Sequence, residues 1–370
     1  MIVKCVAPWT IVEGNPPAPF EKSQETSEAD AFAQSFALVD AAEAWGLDAM
    51  WLAELHFAPD RSVLASPLIL AAAIAQRTRR MKIGTAVQVL PLCHPLRLAE
   101  EAATVDQISD GRLIFGVGRS GFAHTYQAYG VPYEESRERF AETLEIVKRA
   151  WTEEHFSYRG KYFSCDKVTL VPKPRQKPYP PIRIAATSVD TYAAIGTMGY
   201  AIFIAARLGT LSELAPLVRD YREAYRAAGH AGIGEVYLRV PVYVAETEER
   251  ARREPEASVM HLFRSIGGQL EASASLSGAR AIEQRAERGQ RLQTVGYEDA
   301  LRDKMIVGTP DQVAGKLERL RQEIGLDGIL AELNPGSLIP HELVMNALRL
   351  LCKEVMPRFE RRLAASAKAG

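Results

Sequence analysis

The sequence predicts an α/β protein whose parallel strands close into a (β/α)8, or TIM, barrel with insertions. Short β-rich apolar runs alternate along the chain with longer helical stretches, as in sheets whose parallel strands are joined by crossover helices. Eight such alternations can be counted, which is the number that this barrel requires. The strand runs are almost continuously apolar, as in strands covered on both faces. A doubly wound open sheet fits the same alternation, so the count of eight is what favours the barrel.

The predicted strands each follow a turn or a helix-stop signal. The first is followed by a helical stretch in which Phe32, Phe36, Val39 and Trp45 recur at helical spacing, and Gly46 ends that helix. The eight predicted strands span residues 2–8, 48–54, 82–90, 113–119, 182–187, 200–206, 237–245 and 327–334.

The 370 residues exceed the roughly 250 of a minimal barrel, and three stretches account for the excess. Residues 155–181 read as a hairpin followed by a proline-rich extended connector. Residues 246–305 are polar and helix-prone, and residues 340–362 form an amphipathic closing helix. We therefore expect one domain, residues 1–370, with a hairpin and proline-rich insertion at 155–181 and a helical insertion at 246–305.

Composition excludes several partners. Forty-five basic and forty-six acidic residues leave a net charge of −1, so no overall field would attract nucleic acid or an anionic membrane. The start of the chain does not resemble a signal peptide, and no segment has the roughly 18 apolar residues of a membrane helix. The four cysteines are far apart and have no metal-ligand spacing. These features predict a cytoplasmic protein with reduced thiols.

Polar residues at the carboxyl ends of barrel strands have the strongest claim to function, because those ends face the active-site mouth. Strand four runs into Gly118, Arg119, Ser120 and Gly121, where a guanidinium and exposed amides could together bind a phosphate. A glycine-rich turn with a surface arginine is the alternative interpretation.

Strand five leads into Thr187, Ser188 and Thr191, which open a helix whose free amides and dipole favour an anion. An ordinary N-cap explains the same residues.

Strand two ends close to Glu54 and His56, and His56 could donate a proton or a hydrogen bond near neutral pH. A structural histidine is the alternative. No pair of His, Asp or Glu residues has convincing metal-ligand spacing, so no metal site is predicted.

Three segments together carry a family resemblance. WLAELHF, IGTAVQVLPLCHPLRLAEEAATVDQISDGRLIFGVGRSG and IVGTPDQVAGKL resemble the bacterial luciferase-like family of flavin-dependent monooxygenases. The resemblance extends over most of the chain and is clearest between Trp51 and Gly121. It implies a barrel with flavin lying across the strand ends, and a homodimer formed by helices near strands two and three.

The resemblance also assigns roles to matching positions. Arg119 and Arg137 would support the FMN phosphate, and Ser188 and Thr191 would add hydroxyl or amide contacts. A non-prolyl cis peptide that often lies beneath the flavin in this family would here join Ala86 to Val87.

Two positions depart from the light-emitting members of the family. Leu55 replaces the first of two paired histidines, and Gly118 replaces a reactive cysteine. Both departures favour the non-luminescent branch.

The predicted reaction is oxidation of a small, largely apolar organic substrate by O2 and reduced FMN. A separate flavin reductase would deliver the FMN, since no Rossmann fingerprint for nicotinamide occurs in the chain. His56 and Glu54 are the predicted catalytic residues, and the predicted substrate-pocket residues are Phe57, Phe122, His124 and Tyr126. Two alternatives remain, namely a deazaflavin-dependent oxidoreductase of the same fold and a non-catalytic flavin-binding protein.

Overall fold

A computed structural model of the chain describes residues 26–59, 61–186, 188–205, 209–274, 287 and 289–359. The predicted first strand at 2–8 and the candidate Thr187 lie outside the described residues.

The strands of the structure fall within or close to the predicted ones. They are β1 (Ala49–Leu52), β2 (Lys82–Thr85), β3 (Gln88–Val89), β4 (Leu113–Gly118), β5 (Phe156–Arg159), β6 (Ser164–Val168), β7 (Ile182–Ala185), β8 (Ala201–Ala205), β9 (Val236–Val244), β10 (Ile306–Gly308) and β11 (Gly328–Glu332). The predicted third strand is divided into β2 and β3, and β10 is a short strand that the sequence did not predict.

A nine-stranded sheet in the order β1-β2-β4-β7-β8-β9-β10 forms the centre of the fold. In addition, β3 pairs with β4 and β11 pairs with β9. The pairings in this sheet are parallel, with Ile202 of β8 opposite Val236 of β9 as an example of the register. The sheet is nearly closed into a barrel, which confirms the predicted fold class.

Helices surround the sheet. They are α1 (Glu28–Trp45), α2 (Pro67–Arg77), α3 (Pro95–Ile108), α4 (Ala123–Ala128), α5 (Ser136–Thr152), α6 (Val189–Met198), α7 (Leu214–Ala227), α8 (Glu248–Arg253), α9 (Glu256–Ala274), α10 (Tyr297–Asp303), α11 (Pro310–Leu320) and α12 (His341–Leu350).

Local sequence explains where several helices begin and end. The side chain of Ser27 accepts a hydrogen bond from the amide of Asp30 at the start of α1, and Gly46 ends this helix with φ of 96°. Thr309 and Gln312 form a reciprocal capping box at the start of α11. These caps place the helices so that their apolar faces pack against the sheet.

Aromatic side chains and one arginine fill the interior of the barrel. Inside the barrel, buried side chains include Trp51, Phe203 and Tyr237. The guanidinium of Arg183 lies 3.5 Å from the centroid of the Tyr237 ring. Because aromatic faces attract a cation, these rings accommodate the charge of Arg183 in the interior.

The two insertions pack in different ways. In 155–181, β5 and β6 form an antiparallel pair, and Glu142 of α5 accepts hydrogen bonds from the amides of Lys161, Tyr162 and Phe163 in the turn. In 246–305, the helix α9 contributes Phe263 to a separate apolar cluster. The helical residues of this predicted insertion thus contribute to a small apolar cluster that is separate from the main core.

Candidate active site

A cavity of about 750 Å³ opens at the carboxyl ends of the strands. Its walls come from residues at the strand ends and from the helices α6 and α9. Sites for small molecules and cofactors are concave and typically have volumes of roughly 300 to 1,000 Å³. The cavity is therefore large enough for a cofactor, a substrate, or parts of both.

The floor of the cavity is exposed backbone with small side chains. The peptide bond between Ala86 and Val87 is cis, which confirms the expectation from the family resemblance. Gly118 lies beside it, where a Cβ atom would come within 2.6 Å of Cγ2 of Val87 and 3.5 Å of Cβ of Ala185. A side chain at position 118 would have to displace Val87 or extend over this floor. The floor therefore provides a surface that a flat ring system can approach closely.

One end of the cavity is cationic. Arg119 and Arg137 both line it, and Nη1 of Arg119 donates a hydrogen bond of 3.2 Å to Oγ of Ser136. Burial lowers the pKa of Arg119, and the nearby charge of Arg137 lowers it further. Nη2 of Arg137 lies 2.8 Å from Oδ2 of Asp190. Two guanidinium groups close together are a binding arrangement for an anion.

The N-terminus of α6 lies at the same end. Ser188 is the N-cap of α6, and both Ser188 and Thr191 line the cavity. Ser120 and Gly121, which follow Arg119, also line it, and Ser120 has φ of 59°. Free amides at a helix N-terminus favour a phosphate. The structure thus brings the two separate phosphate signals of the sequence to one place.

Glu54 lines the cavity and is held by a buried hydrogen-bond network. Its Oε1 lies 2.8 Å from Nε2 of His56, and its Oε2 accepts hydrogen bonds from Nε2 of Gln88 at 2.5 Å and the amide of Val89 at 2.8 Å. Burial raises the pKa of Glu54, although the hydrogen bonds from His56 and Val89 act in the opposite direction. A carboxyl group with a raised pKa can hold a proton nearer neutral pH.

His56 does not form part of the cavity wall, although its partner Glu54 does. Nδ1 of His56 lies 3.1 Å from the hydroxyl of Tyr129, and Tyr129 is 47% exposed. Tyr129, His56 and Glu54 therefore form a chain of titratable groups from the surface to the cavity.

Of the four residues predicted for the substrate pocket, Phe122 lines the cavity. Phe57 and His124 are exposed and are not in its wall. Tyr126 is fully buried behind the wall, where its hydroxyl donates a hydrogen bond to the carbonyl oxygen of Arg119. Tyr126 thus supports the backbone of the cationic end from behind. His124 and Tyr126 are two positions apart in α4, which directs their side chains to different faces of the helix, whereas Phe122 is the N-cap that precedes it. The loop-like sequence did not reveal this short helix.

The sequence analysis missed several residues of the cavity wall. Arg239 of β9 lines the cavity, as do Ile266, Gln269 and Leu270 of α9. The signal for Arg239 was present, since it is the charged residue in the otherwise apolar run YLRVPVYVA. No comparable signal marks the α9 residues, because helix-prone sequence does not show which face covers a cavity.

The described residues contain neither a metal-binding cluster nor a membrane-spanning helix. No group of three or more His, Cys, Asp or Glu side chains in the described part of the chain could hold a metal ion. None of the described helices is both long enough and apolar enough to cross a membrane.

A nearly closed parallel barrel, with a cavity at the carboxyl ends of its strands, is the architecture of the TIM-barrel enzymes. The chain belongs to the luciferase-like monooxygenase family, whose family model matches residues 17–328.

Three relatives illustrate the range of this similarity. The oxygenase component of flavin-dependent trigonelline monooxygenase from Acinetobacter baylyi is 24% identical over 349 residues, covering 91% of this chain and 92% of that protein. The crystal structure of the monooxygenase RslO1 from Streptomyces bottropensis superposes with a TM-score of 0.74 at 26% identity, covering 94% of this chain and 98% of that one. F420-dependent glucose-6-phosphate dehydrogenase from Kineococcus radiotolerans is 34% identical over 193 residues, covering 50% of this chain and 56% of that protein.

The homologues include flavin-dependent monooxygenases, among them oxygenase components of systems with more than one component. The similarity thus supports a flavin monooxygenase as the general activity of this chain. Relatives that use F420 also exist.

Proposed function

We propose that this single-domain protein uses reduced FMN and O2 to oxidise a small, largely apolar organic substrate, without emission of light. The observation that carries the proposal is the arrangement of the cavity, with Arg119, Arg137 and the N-terminus of α6 at one end and a floor of small residues beside them. This arrangement matches a cofactor that has a phosphate at one end and a flat ring at the other.

The residues present fit FMN. Arg119 and Arg137 would hold the phosphate, together with Ser120, Ser188 and Thr191. The ring would lie over Ala86, Val87 and Gly118, where any side chain at position 118 would crowd Val87 in this floor. When bound, reduced flavin would supply the reducing electrons that activate dioxygen.

The remaining residues of the cavity would orient the substrate and exclude water. Ile266 and Leu270 of α9 supply apolar surface over the strand ends. Glu54 would hold or move a proton at its carboxyl group, because burial raises its pKa. His56 would set the protonation of Glu54 through the contact between Nε2 and Oε1, and would act through Glu54 and not on the substrate directly.

Several further points belong to the proposal. Leu55 and Gly118 occupy the positions of a histidine and a cysteine in light-emitting relatives, which favours a non-luminescent enzyme. A separate reductase would deliver the reduced FMN, as the description of one relative as an oxygenase component suggests. We further propose a cytoplasmic homodimer with a contact through α2, which exposes Ile69.

A deazaflavin-dependent oxidoreductase is the second candidate, because one relative is named as F420-dependent. Titration of the purified chain with FMN and with F420, followed by fluorescence, separates the two. We expect saturable binding of FMN at the stronger affinity. Stronger binding of F420 would refute the choice of FMN.

A panel of aldehydes, ketones and aromatic compounds then tests catalysis. We expect at least one of these compounds to increase oxygen consumption by the FMNH2-loaded protein and to be recovered in oxygenated form. Oxygen consumption no faster than that of free FMNH2 with every compound would favour the non-catalytic flavin-binding protein.

A further inference from the structure

A buried ion pair has its arginine in the cavity wall, away from the cationic end. Arg239 of β9 lines the cavity, and its Nη2 donates a hydrogen bond to Oε1 of Glu332 on β11. The side chains of Arg239 and Glu332 are only 18% and 8% exposed. In the sheet, β7 and β8 separate β9 from β4, which leads into Arg119. The ion pair is thus on a different side of the cavity from the proposed phosphate site.

The guanidinium of Arg239 has more donors than partners. A guanidinium carries five N–H groups. Among the described residues, Glu332 is its one hydrogen-bond partner, and the buried Nε makes no hydrogen bond to any of them. A buried donor without a partner costs free energy. A bound molecule with an oxygen acceptor could satisfy the donors of Arg239 that face the cavity.

The surroundings of Arg239 are apolar. Its register neighbours are Ala205 on β8 and Leu330 on β11, and both also line the cavity. A hydrogen bond from a charged donor is stronger in such surroundings than in water. Arg239 is therefore placed where a single polar contact could fix the orientation of a largely apolar molecule.

The carboxylate of Glu332 determines whether this side of the cavity prefers a neutral or a negatively charged ligand. Its carboxylate offsets the charge of Arg239, and a second carboxylate bound at Arg239 would be repelled by it in a medium of low dielectric constant. Neither Glu332 nor Arg183 is itself in the cavity wall, but Glu332 bonds Arg239 directly, whereas the charge of Arg183 lies against the ring of Tyr237. A neutral carbonyl oxygen accepts a hydrogen bond from Arg239 without bringing a second negative charge.

We infer that Arg239 donates a hydrogen bond to a neutral carbonyl oxygen of the organic substrate, and that Glu332 is the positioning residue for this guanidinium. The inference rests on the proposed function and deepens it, because it names carbonyl compounds as the substrate class. Arg239 is then a specificity-determining residue on the side of the cavity away from the phosphate.

Three probes of similar size test the inference, namely acetophenone, ethylbenzene and benzoate. Their dissociation constants are measured by calorimetry on the full chain, both with and without saturating oxidised FMN. We expect acetophenone to bind at least about tenfold more tightly than ethylbenzene and more tightly than benzoate, since a tenfold ratio corresponds to about 1.4 kcal/mol.

The variant Arg239→Met/Glu332→Leu removes the guanidinium donors, adds no new donor and leaves no buried carboxylate unpaired. We expect it to bring the acetophenone-to-ethylbenzene ratio close to one. Arg61→Met is the matched control, because Arg61 also lines the cavity, over the ring of Phe122. This control should retain the wild-type ratio. If circular dichroism shows that the double variant is unfolded, Arg239→Met/Glu332→Met provides the same comparison, because neither methionine has an N–H donor.

An unchanged ratio in the folded Arg239 variant would overturn the inference. Tighter binding of benzoate than of acetophenone would overturn the assignment of a neutral acceptor. A tenfold loss of FMN affinity with an unchanged probe ratio would show that the acceptor is on the flavin ring and not on the substrate. Failure of the wild-type chain to bind FMN would instead refute the proposed function, while the probe ratio without FMN still tests Arg239.

Discussion

Arg119 combines a positive charge with a partly buried position, so its contribution to anion binding is not fully screened by water. We expect Arg119→Ala to weaken FMN binding by about 1.5 to 3 kcal/mol, because charged hydrogen bonds are lost. A fluorescence titration with FMN measures this change. Arg97→Ala is the control, since Arg97 is an exposed residue of α3 that pairs with Glu101. Equal FMN affinities of the two variants would refute the phosphate assignment.

His56 contacts the carboxyl group of Glu54 but does not line the cavity. We therefore expect His56→Ala to leave FMN affinity within about twofold of wild type and to lower turnover by roughly tenfold or more. Turnover is measured as substrate-dependent oxygen consumption with a compound that the panel identifies. His56→Gln, which retains a donor for Glu54, should recover part of the loss. Parallel losses of FMN affinity and turnover would give His56 a structural role instead.

The reactivity of the Cys93 thiol provides a test of the electrostatics around Glu54. Burial, with the nearby charge of Glu54, raises the pKa of the Cys93 thiol to about 12. At pH 8 only about one thiol in ten thousand would then be the reactive thiolate. We expect iodoacetamide at pH 8 to modify the half-buried Cys165 of the hairpin well before Cys93. Peptide mass mapping over time measures both, and faster modification of Cys93 would contradict the raised pKa.

Individual site residues could be predicted from the sequence where a polar side chain directly follows a predicted strand. Arg119 and Ser188 follow strand ends, so the barrel rule selected them and the structure brings them to one cavity. Arg239 was not selected because its partner Glu332 lies on another strand, and sequence spacing does not show contacts between distant segments. Tyr126 was assigned to the pocket although it is buried behind the wall, because an aromatic residue in a short helix has no pattern that reveals its direction.

Strand β4 depends on close backbone approach to β2. A Cβ atom at Gly116 would come within 1.8 Å of the carbonyl oxygen of Thr85, and backbone cannot move aside as a flexible side chain can. We expect Gly116→Ala to lower the free energy of unfolding by about 1 to 3 kcal/mol or more. Chemical denaturation measures this change. Gly121→Ala is the matched control, because no atom lies within 4 Å of a Cβ built there, and a similar loss in both variants would contradict the steric explanation.

Element positions were predictable from the sequence to within a few residues. The seven predicted strands that lie in the described residues each correspond to strands of the sheet, because their apolar runs are bounded by clear turn signals. The short strand β10 was missed, since Ile306–Gly308 is too brief to show a period. The division between β2 and β3 lies at Ala86 and Val87, where the family resemblance predicted a cis peptide that periodicity could not indicate.

At the scale of the whole molecule, the exposed face of α2 suggests assembly. Ile69 is 70% exposed on this apolar helix. We expect the wild-type chain to be a dimer by light scattering and Ile69→Glu to shift it to monomer, because a buried unpaired charge opposes association. FMN affinity should not change, since Ile69 is not part of the cavity wall. A monomeric wild type, or a variant that remains a dimer, would refute this contact.

The cavity also links cofactor binding to the integrity of the barrel. The cavity wall contains Glu54, which follows β1, Arg119, which follows β4, and Arg239 of β9. The cavity therefore exists only when strands from distant parts of the chain are assembled. A ligand that contacts these residues together has no binding site on the unfolded chain. Free ligand at 100 times its dissociation constant would then add about 2.7 kcal/mol to the free energy of unfolding. Supply of reduced cofactor would thereby set how long the folded enzyme persists, as well as how fast it works.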